Sequence, residues 1–288
     1  MKILLSIDGG IGKNIAATGA IREAYNNDHV IDVITAWPVV FEGNPYINKV
    51  YEWDRYEYIR DRLKEYDKLI FNDPYRQQEF IKGDTDLTSM FNYLVNGKLE
   101  YVKPELYFSL AEELEIKEFI KTIKKPIFLI QTNGGQTNAW MWPRDYRLEE
   151  AVEVLNVYNN EYEIIHLRGP HQPSIDGIKH TGDMSIRQCM LLLKYSTKRL
   201  LIDSVYQHAS AAMDLPSIVL FNNTDYKQFS HPIHTVVQAE EPKLRNMDRI
   251  DGLLAGLDNS ANKCPFSPDQ IIFDKEKVLD ALKEEIMN

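Results

Sequence analysis

The sequence predicts an α/β protein of two doubly wound, Rossmann-like domains, and three stretches carry that expectation. Residues 199–223, RLLIDSVYQHASAAMDLPSIVLFNN, hold two short apolar runs, 200–202 and 218–221, flanked by turn residues. Between them, residues 205–215 have a small-residue helical pattern, with Asp203 or Ser204 placed to cap its start. Strand, capped helix and strand in about 25 residues make the βαβ unit of a parallel sheet. The other two stretches begin alike. Residues 2–7 and 127–131 are apolar strands, each running into a polar glycine-containing loop, DGGIGKN at 8–14 and TNGGQTN at 132–138. Ligands of such sheets bind outside the carboxyl ends of the strands, so a cleft between two facing sheets is the expected site.

The 288 residues suffice for one large domain or two ordinary ones. Hydrophobic content of 44% and charged content of 26% are those of a soluble globular protein. No apolar run approaches the roughly 18 residues of a membrane span. The opening MKILLSID is too short in apolar residues for a signal-peptide core. Cys189 and Cys264 lack CxxC spacing, so packing thiols in a reduced, cytoplasmic protein are expected. A net charge of −10 argues against a dominant nucleic-acid backbone footprint.

In chain order, the first loop leads to a helix over 15–25 and a strand over 30–35. Residues 35–51 then give a Pro-ended turn, a short helix, the Asn44-Pro45 turn and a further strand. Residues 68–71 form a strand followed by Asn72 and Asp73. Asp84-Thr85-Asp86 has the spacing with which one glycosyltransferase class holds a metal and a sugar nucleotide. Here it directly precedes LTSMFNYL, where capping a helix is the simpler role. Residues 102–108 and an acidic helix near 110–114 complete the first half, and the lysine-rich 117–126 reads as a linker. The expected domains are therefore 1–122 and 123–288. In the second half, a helix over about 148–157, a strand over 163–167 and a Ser185-capped helix over 186–195 feed the central βαβ unit. Residues 275–287 read as an amphipathic terminal helix that packs back on a domain, the first being one choice.

The loop bearing Gly9, Gly10, Gly12 and Lys13 admits three readings. A Walker loop needs glycine where Ile7 stands and Ser or Thr where Asn14 stands, so it is rejected. A dinucleotide fingerprint finds Gly10 and Gly12 but meets Ile15 at the third glycine, and Asp32 lies inside the second strand. That reading stays open beside two others, a tight turn with no ligand and a backbone cradle facing the cleft. At the other site, Tyr206, Gln207 and His208 occupy the first turn of the helix after 204, where free N–H groups and the positive dipole end suit a phosphate.

Several of these pieces resemble a known family. The turn Asp203-Ser204-Val205-Tyr206-Gln207-His208 is similar to an Asp-Ser-Gly-Pro-Met-His turn; Thr181-Gly182 and Trp142-Pro143 stand where Thr-Gly and Trp-Pro pairs belong. Residues 44–50, NPYINKV, match an Asn-Pro turn. Their order and spacing resemble the ADP-heptose–lipopolysaccharide heptosyltransferases, glycosyltransferase family 9, over residues 1–51 and 127–235. The resemblance implies the GT-B fold, two Rossmann-like domains facing across a cleft, acceptor on the first and donor on the second. It implies inverting, metal-independent transfer from a nucleotide-diphosphate sugar to an acceptor hydroxyl, with no cofactor. Donor phosphate would then meet the helix N-terminus, His208, and backbone N–H groups of Asn133, Gly134 and Gly135. Asp203 would bond the sugar or cap the helix with Ser204, and Trp142 would pack or stack. Three departures stand out. Lys13 replaces the family's catalytic Asp, Trp140 its phosphate lysine, and Val205-Tyr206 its Gly-Pro. Asp8 is then the expected base, with Asp73 as runner-up, unless both merely cap turns; Arg144 and Arg168 are candidates for the phosphate cation. The loop GGIGKN also resembles family-9-like sequences of bacteriophages, where a hydroxymethylated DNA base is a candidate acceptor beside a glycan. A nucleotide-dependent oxidoreductase and a non-catalytic nucleotide-sugar-binding protein remain the alternatives.

Overall fold

In the structure, a computed structural model, residues 1–53, 60–135, 141–239, 266–267 and 269–284 are described. The chain divides into two compact units, residues 1–110 with 211–213 and residues 111–210 with 214–288. The first is built on strands β1 (Lys2–Ile7), β2 (Val30–Thr35), β3 (Lys49–Glu52) and β4 (Lys68–Ile70), in the order β3-β2-β1-β4 and all parallel. Ile3, Leu4, Leu5, Ile31, Val33 and Ile34 are shielded on both faces, which is why these strands read as continuous aliphatic runs. Helices α1 (Ile11–Asn26), α2 (Gln78–Ile81) and α3 (Leu87–Asn96) complete the unit. Asp86 accepts from the Ser89 N–H at 2.9 Å and caps α3, so the Asp84–Asp86 motif starts a helix. Gly19 in α1 lets residues 102–103 pass close by: a Cβ there would lie 2.5 Å from the Lys103 carbonyl oxygen.

The second unit holds β5 (Ile127–Ile130), β6 (Glu163–His166), β7 (Lys179–His180), β8 (Lys198–Ile202), β9 (Ile218–Phe221) and β10 (Thr235–Gln238), in the order β10-β9-β8-β5-β6-β7 and all parallel. Its helices are α4 (Leu110–Ile120), α5 (Leu148–Leu155), α6 (Ile186–Leu193), α7 (Val205–Ala212), α8 (Tyr226–Phe229) and α9 (Lys275–Glu284). Phe128, Ile130, Leu200, Ile202, Ile218 and Leu220 meet Tyr146, Val154, Phe273 and Leu282 in one core. Each such side chain contributes roughly 1.5–3 kcal/mol by leaving water. The expected βαβ unit is present, β8 pairing with β9 in parallel across α7.

Several boundaries depart from expectation. Helix α1 begins at Ile11, not at 15, because Gly9 (φ +82°) completes the turn within two residues. Gly12 and Lys13 are thus helical, and only Gly9 and Gly10 form the loop. The acidic helix α4 runs to Ile120, through the first four residues of the expected linker. It docks on α6, with Glu112 gripping buried Arg187 bidentately, Glu113 paired to Lys194 at 2.7 Å and Glu115 accepting from Gln188 at 3.2 Å. The terminal helix α9 packs on α5 and β10 of the second unit. Lys198 Nζ, buried over the Tyr158 ring, donates to the Leu282 carbonyl and fixes α9 there.

Both strand orders reverse direction at one place, between β1 and β4 in the first sheet and between β5 and β8 in the second. At such a switch point, neighbouring loops leave the sheet in opposite directions and open a crevice at the carboxyl edge. Asp8 and Asp73 flank the first crevice; residues 131–135 and 203–204 flank the second.

Candidate functional site

At the first crevice one buried cation serves two carboxylates. Lys13, with its side chain 4% exposed, reaches Asp8 Oδ1 at 2.5 Å and Asp73 Oδ1 at 3.0 Å, and lies 4.6 Å from the centre of the Tyr75 ring. Asp73 also accepts from the Tyr75 N–H at 2.9 Å, as the turn-capping reading anticipated. The Asp8 side chain keeps 52% of its surface open, so of the two carboxylates it is the one available to an incoming group. The glycine turn is braced. Asn14 donates to the Gly10 carbonyl at 3.0 Å, and the Trp37 indole donates to the Gly9 carbonyl at 2.8 Å. Asp32 is buried and accepts from Asn48 and Tyr66, so it does not present itself to a ribose as the dinucleotide reading requires.

The second crevice is organised differently. Its defining feature lies along the strand ends. Gln131 after β5, His166 closing β6, Asp203 after β8, Asn222 after β9 and Gln238 closing β10 each have a buried polar atom without a hydrogen-bond partner among the described residues. Thr224 and Gln207 add two more. A buried polar atom left unpaired costs about 1–3 kcal/mol, and native chains carry few. Five consecutive strand ends along one edge thus each carry bonding capacity that no hydrogen bond among the described residues uses. Arg144, partly exposed, places Nε 3.8 Å from Asp203 Oδ2.

The expected donor residues divide into two groups. Asn133, Gly134, Arg144, Asp203 and Ser204 gather at the crevice; a Cβ on Gly134 would lie 3.6 Å from Ser204 Oγ. The Gly134 N–H is committed, donating at 2.7 Å to Asp145, and the Gly135 carbonyl accepts from Gln172 at 2.6 Å. The others serve the fold. Trp142 packs edge-on to Phe266 in the core. Arg168 spends its guanidinium on the carbonyls of Pro170 and Gln172. Tyr206 is buried against Cys189, and burial pushes its hydroxyl pKa up. Trp140, Cys264, residues 136–138 and the last residues of the terminal helix lie outside the described residues.

His208 belongs to a histidine chain that sequence reading missed. Its Nδ1 lies 2.8 Å from His231 Nε2 and its Nε2 lies 3.1 Å from Gln207 Nε2, while His234 Nε2 meets the Gln207 carbonyl at 2.8 Å. Gln207 Nε2 also donates to the Phe229 carbonyl, so His208 Nε2 accepts and its Nδ1 carries the proton. Burial, with His234 and Arg144 nearby, holds the His208 pKa down at about 3. Burial with Arg168 and His180 does the same for His166, also at about 3, whose Nε2 pairs with Thr132 at 2.7 Å. Both imidazoles are neutral at pH 7. Among the described residues no three His, Cys, Asp or Glu side chains gather as a metal site.

Asp145 was also missed. It is fully buried and accepts from the Gly134 N–H and the Met141 N–H, both at 2.7 Å, and from Asn133 Nδ2 at 3.0 Å. Burial pushes its pKa up against the lowering by these three donors. The only signal was an acidic residue directly after Trp142-Pro143-Arg144, in a run otherwise read for its Trp-Pro pair.

No protein-family model matches the chain, and no curated protein matches it in sequence. Solved structures do match. Escherichia coli ADP-heptose lipopolysaccharide heptosyltransferase II is 14% identical with a TM-score of 0.69, over 100% of this chain and 99% of that one. A glycosyltransferase family 9 structure from Veillonella parvula is 11% identical with a TM-score of 0.70, over 99% and 97%. Escherichia coli heptosyltransferase WaaC with ADP is 15% identical with a TM-score of 0.53, over 83% and 91%. The chain has the two-sheet α/β fold of these GT-B glycosyltransferases.

Proposed function

We propose that this protein is an inverting, metal-independent glycosyltransferase that takes its sugar from a nucleoside diphosphate bound at the β5–β8 crevice. The observation that carries the reading is the row of buried polar atoms without hydrogen-bond partners at the ends of β5, β6, β8, β9 and β10, set at a switch point beside Arg144. Gln131, Asp203 and Asn222 offer oxygens, which suit the hydroxyls of a sugar or ribose. Arg144 and the amino end of α7 suit the diphosphate. The fold shared with heptosyltransferases, one of them solved with ADP, supports the same reading and makes ADP the first nucleotide to test.

In the reaction, the acceptor oxygen bonds to the anomeric carbon as the bond from that carbon to the diphosphate breaks, inverting the centre. The diphosphate leaves with the electron pair, and Asp8 receives the hydroxyl proton. Arg144 and the α7 amides offset the charge that develops on the leaving group, the task a metal performs in other transferases. Lys13 holds Asp8 in place. His208, neutral and bonded on both ring nitrogens, positions Gln207 rather than supplying charge.

A thermal-shift series with ADP, UDP, GDP and CDP tests the reading, since a ligand bound only by the folded state raises its melting temperature. A shift with one of them, and its release from the matching nucleotide sugar, is expected. No shift and no release with any would overturn it. Duplex DNA carrying hydroxymethylated bases, against a glycan acceptor, distinguishes the two acceptor classes; DNA binding would weaken steeply with salt.

A further inference from the structure

We propose that Asp145 is a positioning residue for nucleotide binding: its carboxylate, anchored on the loop at Asn133–Gly134, fixes the turn that projects Arg144. This inference rests on the functional reading above. The geometry is closed on itself. Asp145 accepts from Met141 N–H while its own N–H donates to the Met141 carbonyl at 2.9 Å, and the Arg144 N–H shares that carbonyl at 3.0 Å. From the same carboxylate, bonds run to Gly134 N–H and Asn133 Nδ2 on the β5 loop. The Tyr146 N–H then returns to the Thr132 carbonyl at 2.8 Å. Asn222 and Asn223 hold the turn from the far side, donating to the carbonyls of Trp142 at 2.5 Å and Pro143 at 3.1 Å.

The consequence for Arg144 follows from its neighbours. It is the residue of the turn whose charge reaches both Asp203, 3.8 Å away, and His208, whose pKa it helps to depress. A guanidinium is effective on a diphosphate only when its fork is fixed before the ligand arrives. The backbone that sets it hangs on Asp145. No carboxamide reproduces this arrangement: its NH2 would face an N–H donor at Gly134, or at Met141 and Asn133.

The test is titration of ADP, UDP, GDP and CDP into the full-length wild type, then into Asp145→Asn, Arg144→Ala and the double variant. For the nucleotide bound most tightly, Asp145→Asn is expected to weaken binding about 10-fold, in line with one charge-assisted bond lost. In the Arg144→Ala background the same change is expected to cost less than about 2-fold, because its effect runs through Arg144. KM for the nucleotide sugar should rise far more than kcat falls. Wild-type affinity in folded Asp145→Asn, or full additivity with Arg144→Ala, would overturn the proposal while leaving the functional reading intact. Absence of binding by the wild type to all four would overturn the functional reading, and this inference with it. Should Asp145→Asn not fold, Asp145→Glu keeps the charge but displaces the turn; a loss of about 3-fold is expected, and none would overturn the proposal.

Discussion

The carboxyl edges of the two sheets share a topology and differ in chemistry. At the first, Lys13 stands between Asp8 and Asp73, and the neighbouring turn is braced by Asn14 and Trp37. At the second, the strand ends carry unpaired polar atoms, the histidines are neutral, and one partly exposed guanidinium stands over a buried carboxylate. An edge whose one cation is already paired is suited to moving a proton at one exposed carboxylate. An edge with unspent bonding capacity is suited to holding a polar ligand. The contrast fits the division of roles proposed above: chemistry at Asp8, recognition around Asp203 and Arg144.

The largest expected effect comes from breaking the first edge's one available group. Asp8→Asn should lower turnover about 10²–10⁴-fold, the usual worth of a positioned base. Nucleotide affinity should hold. Steady-state kinetics on a folded variant checks this, and near-wild-type turnover would remove Asp8 from the mechanism.

Acid should distinguish the edges next. His166 and His208 have folded pKa values of about 3 against an ordinary 6.5. Below 6.5 the unfolded chain binds protons that the folded chain refuses, so stability is greatest above 6.5 and falls as the pH drops toward 3. By about pH 5 the loss is about 2 kcal/mol for each histidine. Urea unfolding at stepped pH measures it, with His166→Gln expected to show the shallower slope. A stability unchanged down to about pH 5 would contradict the neutral assignment.

A smaller effect is expected at Lys13. Lys13→Met leaves Asp8 and Asp73 facing each other without their cation, and should cost about 2 kcal/mol in chemical denaturation. The partial exposure of Asp8 keeps the figure below that of a fully buried pair. No loss would mean that the first edge is less tightly matched than its distances imply.

Much of this was legible in the sequence because it is written locally. The aliphatic runs of β1, β5, β8 and β9, the Ser185 and Asp86 caps and the helix after Ser204 all follow from neighbours in the chain. What escaped is long-range. Lys13 was read as a lost catalytic position; its partner Asp73 lies 60 residues away. Residues 117–120 of the expected linker are helical, in a helix whose Glu112, Glu113 and Glu115 find cations and amides on α6 some 75 residues on. His231 and His234 fall in a polar, Pro-interrupted stretch with no periodicity, so nothing local marked them as partners of His208. Asp145 sat beside a Trp-Pro pair whose own role proved to be packing.

The most direct measurement compares nucleoside diphosphate affinity in two variants, one at each edge. Arg144→Ala is expected to weaken binding of the best-bound nucleotide by about 10–100-fold, the worth of a charge-assisted contact, while Lys13→Met stays within about 2-fold of wild type. The reverse pattern, with Lys13 controlling affinity and Arg144 dispensable, would contradict the assignment of recognition to the second sheet.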